Sequence, residues 1–431
     1  MKNVCVVGGG AAGLMAAFTA AKNGHNVIIF EKNEKLGKKI YITGKGRCNF
    51  TNDSSPEDFL GNVVRGKKFL TGVLYSFPPQ KTIDFFEEYG MPVKIERGNR
   101  AFPVSEHASD VTKTLEKACK LRGVEIHLNE EVQEIASIMS DIIPMSGIVE
   151  NKTTSDIIPM SDINKSRFRI KTQKKEYSFD CVIIATGGLS YPTTGSTGDG
   201  YRFAKDYGHT IAELRPGLCG FNVEGVWWKD LQGLALKNVS ISVKLNNKII
   251  HEDFGEMLFT HFGVSGPVVL SASSLINRLA LKNVTISLDL KPALDENTLD
   301  KRVLRDFEKH KNKQIGNALI ELLPQKLISI VLSFCNIDAK KNVNILTKEE
   351  RWRLVKTLKS LPIKVHSLRG FEEAIITSGG IELSEINPKT MESKKVKGLY
   401  FCGEVLDVDA FTGGFNMQIA FATGYAAGKA I

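Results

Sequence analysis

The sequence predicts an α/β protein in which a parallel-sheet domain is built from both ends of the chain and is interrupted by a β-rich part and a helical part. Three observations lead to this prediction. Residues 1–31 read as strand, glycine turn, helix and strand. Residues 214–290 contain short alternating stretches separated by turns, which is typical of antiparallel strands. Residues 398–431 again read as strand, glycine turn and helix.

The N-terminal unit carries the spacing Gly8-x-Gly10-x-x-Gly13 directly after the apolar strand 4–7. In a dinucleotide-binding turn the first glycine permits the tight turn, the second lets the backbone approach a pyrophosphate, and the third lets the helix pack closely on the strands. The helix N-terminus offers N–H groups and a positive dipole end to the phosphates. Glu31 closes the second strand, where its carboxylate can accept hydrogen bonds from a ribose. The complete strand–turn–helix–strand frame therefore indicates a bound dinucleotide rather than a glycine turn without a ligand.

The loop 36–52 is rich in glycine, cations and small polar residues. Following a dinucleotide motif, it is suited to wrap a second part of the same cofactor. Its donors for a pyrophosphate or an electron-rich ring edge are Thr43, Gly44, Gly46, Arg47 and Asn49.

Two later strands also run into glycines. The buried strand 182–185 ends at Gly187 and Gly188 and is expected to return to the parallel sheet near the cofactor. In the last segment a helix begins after Gly413 and Gly414. A second helix N-terminus aimed at the cofactor would stabilise negative charge, which a reduced flavin carries at N1–C2=O. The pattern therefore suits FAD better than a simple nucleotide.

The net charge of +9 is unevenly distributed, because residues 301–364 contain 15 Lys/Arg and 6 Asp/Glu. A localised basic region indicates a polyanionic partner such as nucleic acid. The alternative is a solvated face of lysine-rich helices. Only Phe307, Phe334 and Trp352 are aromatic within this stretch, so it offers few candidates for base stacking.

The cysteines and the apolar runs bear on the compartment. The 7 cysteines are scattered and form no C-x-x-C pair, so neither a disulfide framework nor a metal site is expected, and the protein is expected to be cytoplasmic. The apolar stretch 4–21 belongs to the first βα unit, and no other run approaches the ~18 apolar residues of a membrane span. The heptapeptide 140–146 recurs at 155–161 and is interpreted as a duplicated insertion in a surface hairpin without a catalytic role.

Together these motifs resemble the HI0933-like family of bacterial NAD(P)/FAD-dependent oxidoreductases, within the glutathione-reductase-like FAD superfamily. The matching blocks are residues 8–13, 43–49, 100–103, 185–188, 259–267, 377–380, 402–407 and 413–416. The resemblance implies a Rossmann-like FAD-binding domain made of both chain ends, for which we expect the bounds 1–190 and 371–431. It also implies a β-rich, barrel-like inserted domain, expected over 191–297, and a basic helical subdomain, expected over 298–370.

The resemblance further implies tightly held FAD. From the motifs and the resemblance together, the residues expected to hold FAD are Gly8, Gly10, Ala11, Ala12, Gly13, Glu31, Lys32, Lys39, Thr43, Gly44, Gly46, Arg47, Cys48, Asn49, Val132, Ala185, Thr186, Gly187, Gly188, Gly403, Glu404, Asp407, Gly413, Gly414, Asn416 and Met417.

Known members of the family imply reduction of a carbon–carbon double bond, with NADH or NADPH as a transient reductant. One branch resembles enone reductases acting on steroid-type substrates, and another is similar to enzymes that make dihydrouridine in large-subunit ribosomal RNA. The basic region 301–364 favours ribosomal RNA as partner and its uridine as substrate, with a small steroid-like enone as the alternative. Two other classes stay open: a flavoprotein that binds RNA without reductive chemistry, and an oxidase or monooxygenase acting on a small molecule.

Reduction of a double bond also needs a general acid, because a proton must reach the second carbon. His261, within a glycine-flanked block, is one candidate, with a structural turn cap as its alternative. Cys48 is another, because a neighbouring cation such as Arg47 can lower the pKa of a thiol. The alternative interpretation is a buried inert thiol beside the cofactor. Tyr191 is a candidate from its position after the turn 185–188.

Overall fold

A computed structural model describes residues 1–137 and 167–431, which form two compact units. The terminal unit comprises Met1–Arg215 and Ile375–Ile431, and the inserted unit comprises Pro216–Ala374. The predicted domain boundaries at 190, 297 and 370 stay predictions. The duplicated heptapeptide at 140–161 lies outside the described residues.

The elements up to the inserted unit are β1 (Asn3–Val7), α1 (Ala11–Lys22), β2 (Asn26–Phe30), α2 (Lys38–Ile42), β3 (Thr51–Asn52), α3 (Pro56–Gly61), β4 (Val63–Arg65), α4 (Lys67–Ser76), α5 (Pro79–Glu88), β5 (Val93–Glu96), β6 (Arg100–Pro103), α6 (Ala108–Leu121), β7 (Glu125–His127), β8 (Val132–Ser137), β9 (Phe168–Thr172), β10 (Glu176–Phe179), β11 (Cys181–Ile184), α7 (Asp199–Asp206) and β12 (Arg215–Gly217). The inserted unit continues with β13 (Phe221–Val223), β14 (Ala235–Leu245), β15 (Lys248–Phe259), β16 (Gly263–Ser265), α8 (Pro267–Ile276), β17 (Val284–Asp289), α9 (Glu296–Lys309), α10 (Ile315–Ala318), α11 (Gln325–Phe334), α12 (Lys348–Lys359) and β18 (Leu361–Leu368). The chain then returns to the terminal unit with β19 (Ile376–Ser378), β20 (Leu399–Phe401), β21 (Asp409–Ala410) and α13 (Phe415–Ala430).

The terminal unit is organised around a parallel five-stranded sheet of order β20-β11-β1-β2-β7. Its central strands are nearly continuous runs of buried apolar residues, as expected for a parallel sheet. The register pairs Val7 with Phe30 on one side and with Ile184 on the other, and Ile184 with Phe401. Four strands therefore end side by side, so the residues that follow them meet at one carboxyl edge, where ligands of such sheets bind. The predicted Rossmann-like α/β fold is confirmed.

Helices α1 and α13 pack closely because glycines of α13 face the backbone of α1. A Cβ on Gly424 would lie 2.3 Å from the Ala12 carbonyl oxygen, and one on Gly428 would lie 2.3 Å from the Ala16 carbonyl oxygen. These two contacts show that α1 and α13 run in the same direction. At 1.5 Å per residue, α13 begins ~12 Å before the level at which α1 begins. Both positive helix ends therefore point the same way, about two turns apart.

The inserted unit contains a closed barrel of order β13-β16-β15-β14-β17-β18, with antiparallel neighbours. Its strands contribute Ile241, Val243, Ile286 and Leu288 to a single hydrophobic cluster. The helices contribute Leu299, Val303, Leu327, Val331 and Leu354 to the same cluster. The barrel-like part and the helical part are thus both present as predicted, and they share one core.

Among the described residues, no helix combines the length and apolar character that crossing a membrane would require.

Candidate functional site

The first glycine turn leaves open space at the start of α1. Gly8 has φ +104°, and a Cβ on it would lie 2.6 Å from the Ala185 carbonyl oxygen. A Cβ on Gly13 would lie only 2.0 Å from the Gly8 carbonyl oxygen. Gly10 has φ −82° and no atom within 4 Å of its Cβ position, and as N-cap it brings no capping side chain. With no acidic residue in the first turn of α1, the turn can receive an anion at a positive helix end.

The carboxylate predicted to bind a ribose is fixed beside this turn. Glu31 is 8% exposed. Its Oε2 accepts a hydrogen bond from the Gly9 N–H at 2.8 Å, and its Oε1 accepts from the Asn33 backbone and side chain at 2.9 and 2.6 Å. Because a carboxylate oxygen has two lone pairs, Oε2 keeps acceptor capacity for a hydroxyl. Lys32 is engaged within the protein, where its Nζ lies 2.6 Å from Asp199 Oδ2.

A second helix N-terminus without a capping side chain lies where α13 meets the loop after α2. Gly414 is the N-cap of α13, with no capping side chain and no acid in the first turn. A Cβ on Gly414 would lie 2.3 Å from the Thr51 carbonyl oxygen and 2.9 Å from Asn49 Oδ1. Asn52 Nδ2 donates to the Gly413 carbonyl at 3.1 Å. Asn49 Oδ1 is buried and has no hydrogen-bond partner among the described residues, so it can accept a hydrogen bond from a ligand N–H.

A polar network joins four segments of the terminal unit. Lys39 Nζ lies 2.6 Å from Glu404 Oε2 and 2.5 Å from Ser190 Oγ. Glu404 Oε1 accepts from Ser190 Oγ and from the Thr377 N–H, each at 2.7 Å. Ser190 and Thr377 were missing from the predicted site. Ser190 directly follows the turn 185–188, and Thr377 opens the block 377–380, so both had a local signal.

The structure brings most of the predicted cofactor residues together. Those directly after the carboxyl ends of strands, or in the first turns of α1 and α13, are Gly8, Gly10, Ala11, Ala12, Gly13, Glu31, Lys32, Ala185, Thr186, Gly187, Gly188, Gly403, Glu404, Gly413, Gly414, Asn416 and Met417. Those in α2 and the loop after it are Lys39, Thr43, Gly44, Gly46, Arg47, Cys48 and Asn49. Asp407 lies between β20 and β21, and Val132 is buried at the start of β8.

Two of these residues serve the protein itself. The Asn416 side chain exchanges two hydrogen bonds with the Ala410 backbone, at 3.0 and 2.7 Å, and so fixes the loop before α13. A Cβ on Gly403 would lie 2.8 Å from the Cβ of Ala12, so this glycine lets the chain after β20 approach α1. Thr186 Oγ1 is buried without a hydrogen-bond partner among the described residues, and it packs against Gly200, whose Cβ position lies 2.3 Å from it.

Of the two interpretations of Cys48, the structure supports the buried inert thiol. Its side chain is fully buried, and this burial raises the pKa of the thiol well above its ordinary value. Arg47 does not offset this, since its guanidinium pairs with Glu96 at 2.5 Å and with Glu106 at 3.1 Å. Activation of this thiol by Arg47 is therefore not supported, because removal of water outweighs a cation that is already paired.

The other two acid candidates lie in different units. Tyr191, in the terminal unit, has φ +51° and precedes the short turn Pro192–Thr194. His261, in the inserted unit, is exposed between β15 and β16. Its ring packs edge-on against Phe262 at 5.0 Å between centroids.

A buried Ser–His–Glu set also escaped the sequence prediction. His209 Nε2 lies 2.8 Å from Ser393 Oγ, and His209 Nδ1 lies 2.9 Å from Glu385 Oε2. Ser393 Oγ also accepts the N–H groups of Lys395 and Val396 at 3.0 and 2.9 Å. Both lone pairs of this hydroxyl are used, so it is not a nucleophile, and the set ties chain segments together. Among residues 1–137 and 167–431, no group of three or more His, Cys, Asp or Glu is arranged to hold a metal ion.

The two uncapped helix ends and the carboxylate at Glu31 fit an extended dinucleotide with an electron-rich ring. In FAD the pyrophosphate would be held at Gly10 and the start of α1, and the ring would be held by Asn49 and the start of α13. The fold and site thus define an FAD-dependent oxidoreductase. The sequence pattern of the HI0933-like protein Rossmann domain matches residues 2–430, and the chain belongs to this family.

Similar proteins cover the whole chain. It is 29% identical over 437 residues to the 3-dehydro-bile acid delta(4,6)-reductase of Clostridium scindens, covering 100% of this chain and 99% of that protein. It is 29% identical over 427 residues to the ribosomal RNA dihydrouridine synthase of Haemophilus influenzae, covering 99% and 97%. The dihydrouridine synthase of Escherichia coli is 28% identical over 424 residues, covering 98% and 96%.

Among solved structures, the 3-ketosteroid-delta4-(5alpha)-dehydrogenase of Rhodococcus jostii RHA1 in complex with 4-androstene-3,17-dione has a similar fold. The TM-score is 0.53 at 14% identity, covering 100% of this chain and 96% of that chain.

Proposed function

We propose that this protein uses NADH or NADPH to reduce a carbon–carbon double bond conjugated to a carbonyl group, and that its substrate is uridine in large-subunit ribosomal RNA. Bound FAD would supply the hydride for this reduction. Two relatives are named ribosomal RNA dihydrouridine synthases, and dihydrouridine is uridine with two hydrogens added across the ring double bond. A third is named a bile acid reductase. These names support one reaction type with two substrate classes.

The chain's own residues have separate tasks in this proposal. Gly10 and the start of α1 receive the pyrophosphate, Glu31 holds the adenosine ribose, and Asn49 accepts a hydrogen bond from the ring. The network of Lys39 and Glu404 holds the segments around the cofactor in register. The candidates for the general acid are the Tyr191 hydroxyl and the His261 imidazole, since the raised pKa of Cys48 makes its thiol a poor acid.

The observation that favours RNA is a cluster of lysines formed by two paired loops. Backbone hydrogen bonds join residues 311–316 to 339–344, including Ile315 N–H to the Lys341 carbonyl at 2.8 Å and Val343 N–H to the Lys313 carbonyl at 3.0 Å. This pairing places the segments that carry Lys313 and Lys340 side by side, and Lys309 lies two residues before the first of them. We name these three lysines the lysine patch.

The lysine patch is one set among the exposed cations of the basic region that form no ion pair with another described residue. Its three side chains are exposed and form no ion pair with another described residue. Several neighbouring cations are neutralised, namely Arg302 by Asp306, Lys341 by Glu350, Arg351 by Asp300 and Lys359 by Asp289. Exposed and unpaired positive charge of this kind is what a phosphate-binding surface requires.

Anaerobic single-turnover absorbance tests the reaction. The FAD-loaded protein should bleach on addition of NADH or NADPH and regain its colour when unmodified ribosomal RNA is added. Dihydrouridine should then appear in the RNA by mass spectrometry. Recovery of colour with a steroidal enone alone would favour the small-molecule alternative. Recovery only with oxygen would refute reduction of a double bond.

Salt dependence tests the RNA surface. Changing the three lysines of the patch to Gln should make the slope of log K against log salt less negative by about 2 to 3, because each lost phosphate contact removes about 0.7 to 0.9. A matched control changes three exposed lysines elsewhere in the same unit, Lys237, Lys248 and Lys282. An equal effect of both triple variants would show that net charge, and not this patch, binds RNA.

A further inference from the structure

An exposed aromatic pair lies at the end of α11. Phe334 is 39% exposed, and its ring meets that of Trp227 edge-on, with centroids 5.4 Å apart and an interplanar angle of 90°. Trp227 is partly exposed and also packs edge-on against the buried Phe259 at 6.1 Å. The tryptophan is therefore anchored by the core while the pair remains open to solvent. Trp227 lies outside residues 301–364, so sequence proximity did not connect it with the basic region.

Cations flank this pair. The Arg353 Nε donates to the carbonyl of Cys335, the residue after Phe334, at 3.1 Å. The chain that leaves α11 leads within six residues to Lys340 of the lysine patch. The acid Asp338 lies in the same stretch, and its Oδ1 accepts the Lys340 N–H at 2.9 Å. An exposed aromatic surface beside an arginine suits a base and its phosphate.

The other strongly exposed phenylalanine of this unit has the opposite surroundings. Phe254 is 54% exposed on β15, where Glu252, Asp253 and Glu256 are its neighbours along the strand. A polyanion would be repelled there. Exposure of an aromatic ring alone thus does not distinguish the two positions, but the sign of the surrounding charge does.

We propose that Phe334 and Trp227, with Arg353 beside them, form a platform on which an unpaired RNA base stacks. This inference rests on the proposed RNA substrate and deepens it. Stacking is tolerant of base identity because every base has a π-face. The platform would position a single-stranded segment of the RNA, while the lysine patch supplies affinity for its phosphates.

The test measures binding of a fluorescently labelled 12-residue oligouridylate to the FAD-loaded protein by anisotropy across a salt series. Phe334→Ala should weaken binding about 5- to 150-fold, which corresponds to the ~1–3 kcal/mol of one base stacked on an aromatic side chain. Its salt slope should stay unchanged, because no charge is removed. Phe334→Tyr should bind within about twofold of the native chain, since the ring is retained.

Two further variants complete the design. Arg353→Gln should make the slope of log K against log salt less negative by about 0.7, the value for one phosphate contact on a single strand. Phe254→Ala is the matched control and should leave both affinity and slope unchanged. Should Phe334→Ala fail to fold, Trp227→Leu removes the partner ring of the same pair and should give the same loss.

Native-like affinity of Phe334→Ala or Trp227→Leu, together with a loss in the lysine-patch variant, would overturn the platform and leave the proposed RNA substrate standing. Failure of the unaltered protein to bind the oligonucleotide or to be reoxidised by ribosomal RNA would refute the proposed substrate itself, and the platform with it. Equal losses in Phe334→Ala and Phe254→Ala would also overturn the platform.

Discussion

Substituting Gly10 by alanine should separate cofactor binding from folding. A Cβ added at Gly10 would meet no protein atom within 4 Å, and the native φ of −82° and ψ of −173° are accessible to alanine. Alanine is a poorer N-cap than glycine, which destabilises the folded apoprotein, but it also lowers the entropy of the unfolded chain, which stabilises the folded state. These effects oppose each other, so the free energy of unfolding of the apoprotein should change by less than about 1 kcal/mol. The added methyl occupies the space that the pyrophosphate needs.

The magnitude follows from the hydrogen bonds at that turn. Displacing the pyrophosphate by enough to lose one hydrogen bond to a charged group costs about 1.5–3 kcal/mol, or a 10- to 150-fold higher Kd for FAD. Gly13→Ala should behave differently, because its Cβ would lie 2.0 Å from the Gly8 carbonyl oxygen and would destabilise the apoprotein itself.

Urea unfolding of the apoprotein and fluorescence titration with FAD measure the two effects. Gly61→Ala is the control, since Gly61 also has open space at its Cβ position. The reasoning fails if Gly10→Ala binds FAD within about twofold of the native chain, or if it destabilises the apoprotein as much as Gly13→Ala does.

Two further outcomes are expected. The native protein should react slowly with a thiol reagent at pH 8, because all 7 cysteines are buried and burial raises the pKa of Cys48; one rapidly labelled thiol at Cys48 would contradict this. Stability should fall on acidification in two ranges. Burial lowers the pKa of His209 despite the opposing Glu385, so its contribution is present above its unfolded value of 6.5 and lost below it. Burial would raise the pKa of Glu385, but hydrogen bonds lower it to about 2, so its contribution is present above 4.5 and lost towards pH 2. Urea unfolding of the native chain and His209→Gln at several pH values checks the first range, where the variant should show a smaller slope below pH 6.5.

Much of the cofactor site was predictable because its chemistry is local. The spacing of Gly8, Gly10 and Gly13 reports a backbone turn whose steric demands lie within a few residues, and the structure has the expected tight and open positions. The carboxyl edge was also predictable, because parallel strands end together once their order is known. The roles of Ser190 and Thr377 were not, since their shared partner Glu404 is distant in sequence from both.

The candidate acid Cys48 shows why a local pattern can mislead. Sequence proximity to Arg47 indicated a stabilised thiolate, but the pKa depends on how much water surrounds the sulfur and on which other groups hold the cation. Both are properties of the folded chain. Burial raises this pKa, while Glu96 and Glu106 occupy Arg47.

The sequence by itself determined the strand–glycine–helix units at both ends of the chain, the preference for a flavin dinucleotide and the excess of positive charge in 301–364. These follow from spacing and composition, which contiguous residues encode. Only the tertiary structure decided that α1 and α13 run in parallel through Gly424 and Gly428, and that paired loops gather the lysine patch. It also placed Trp227 against Phe334. Burial and contacts between distant segments decide such features, and no local pattern in the sequence contains them.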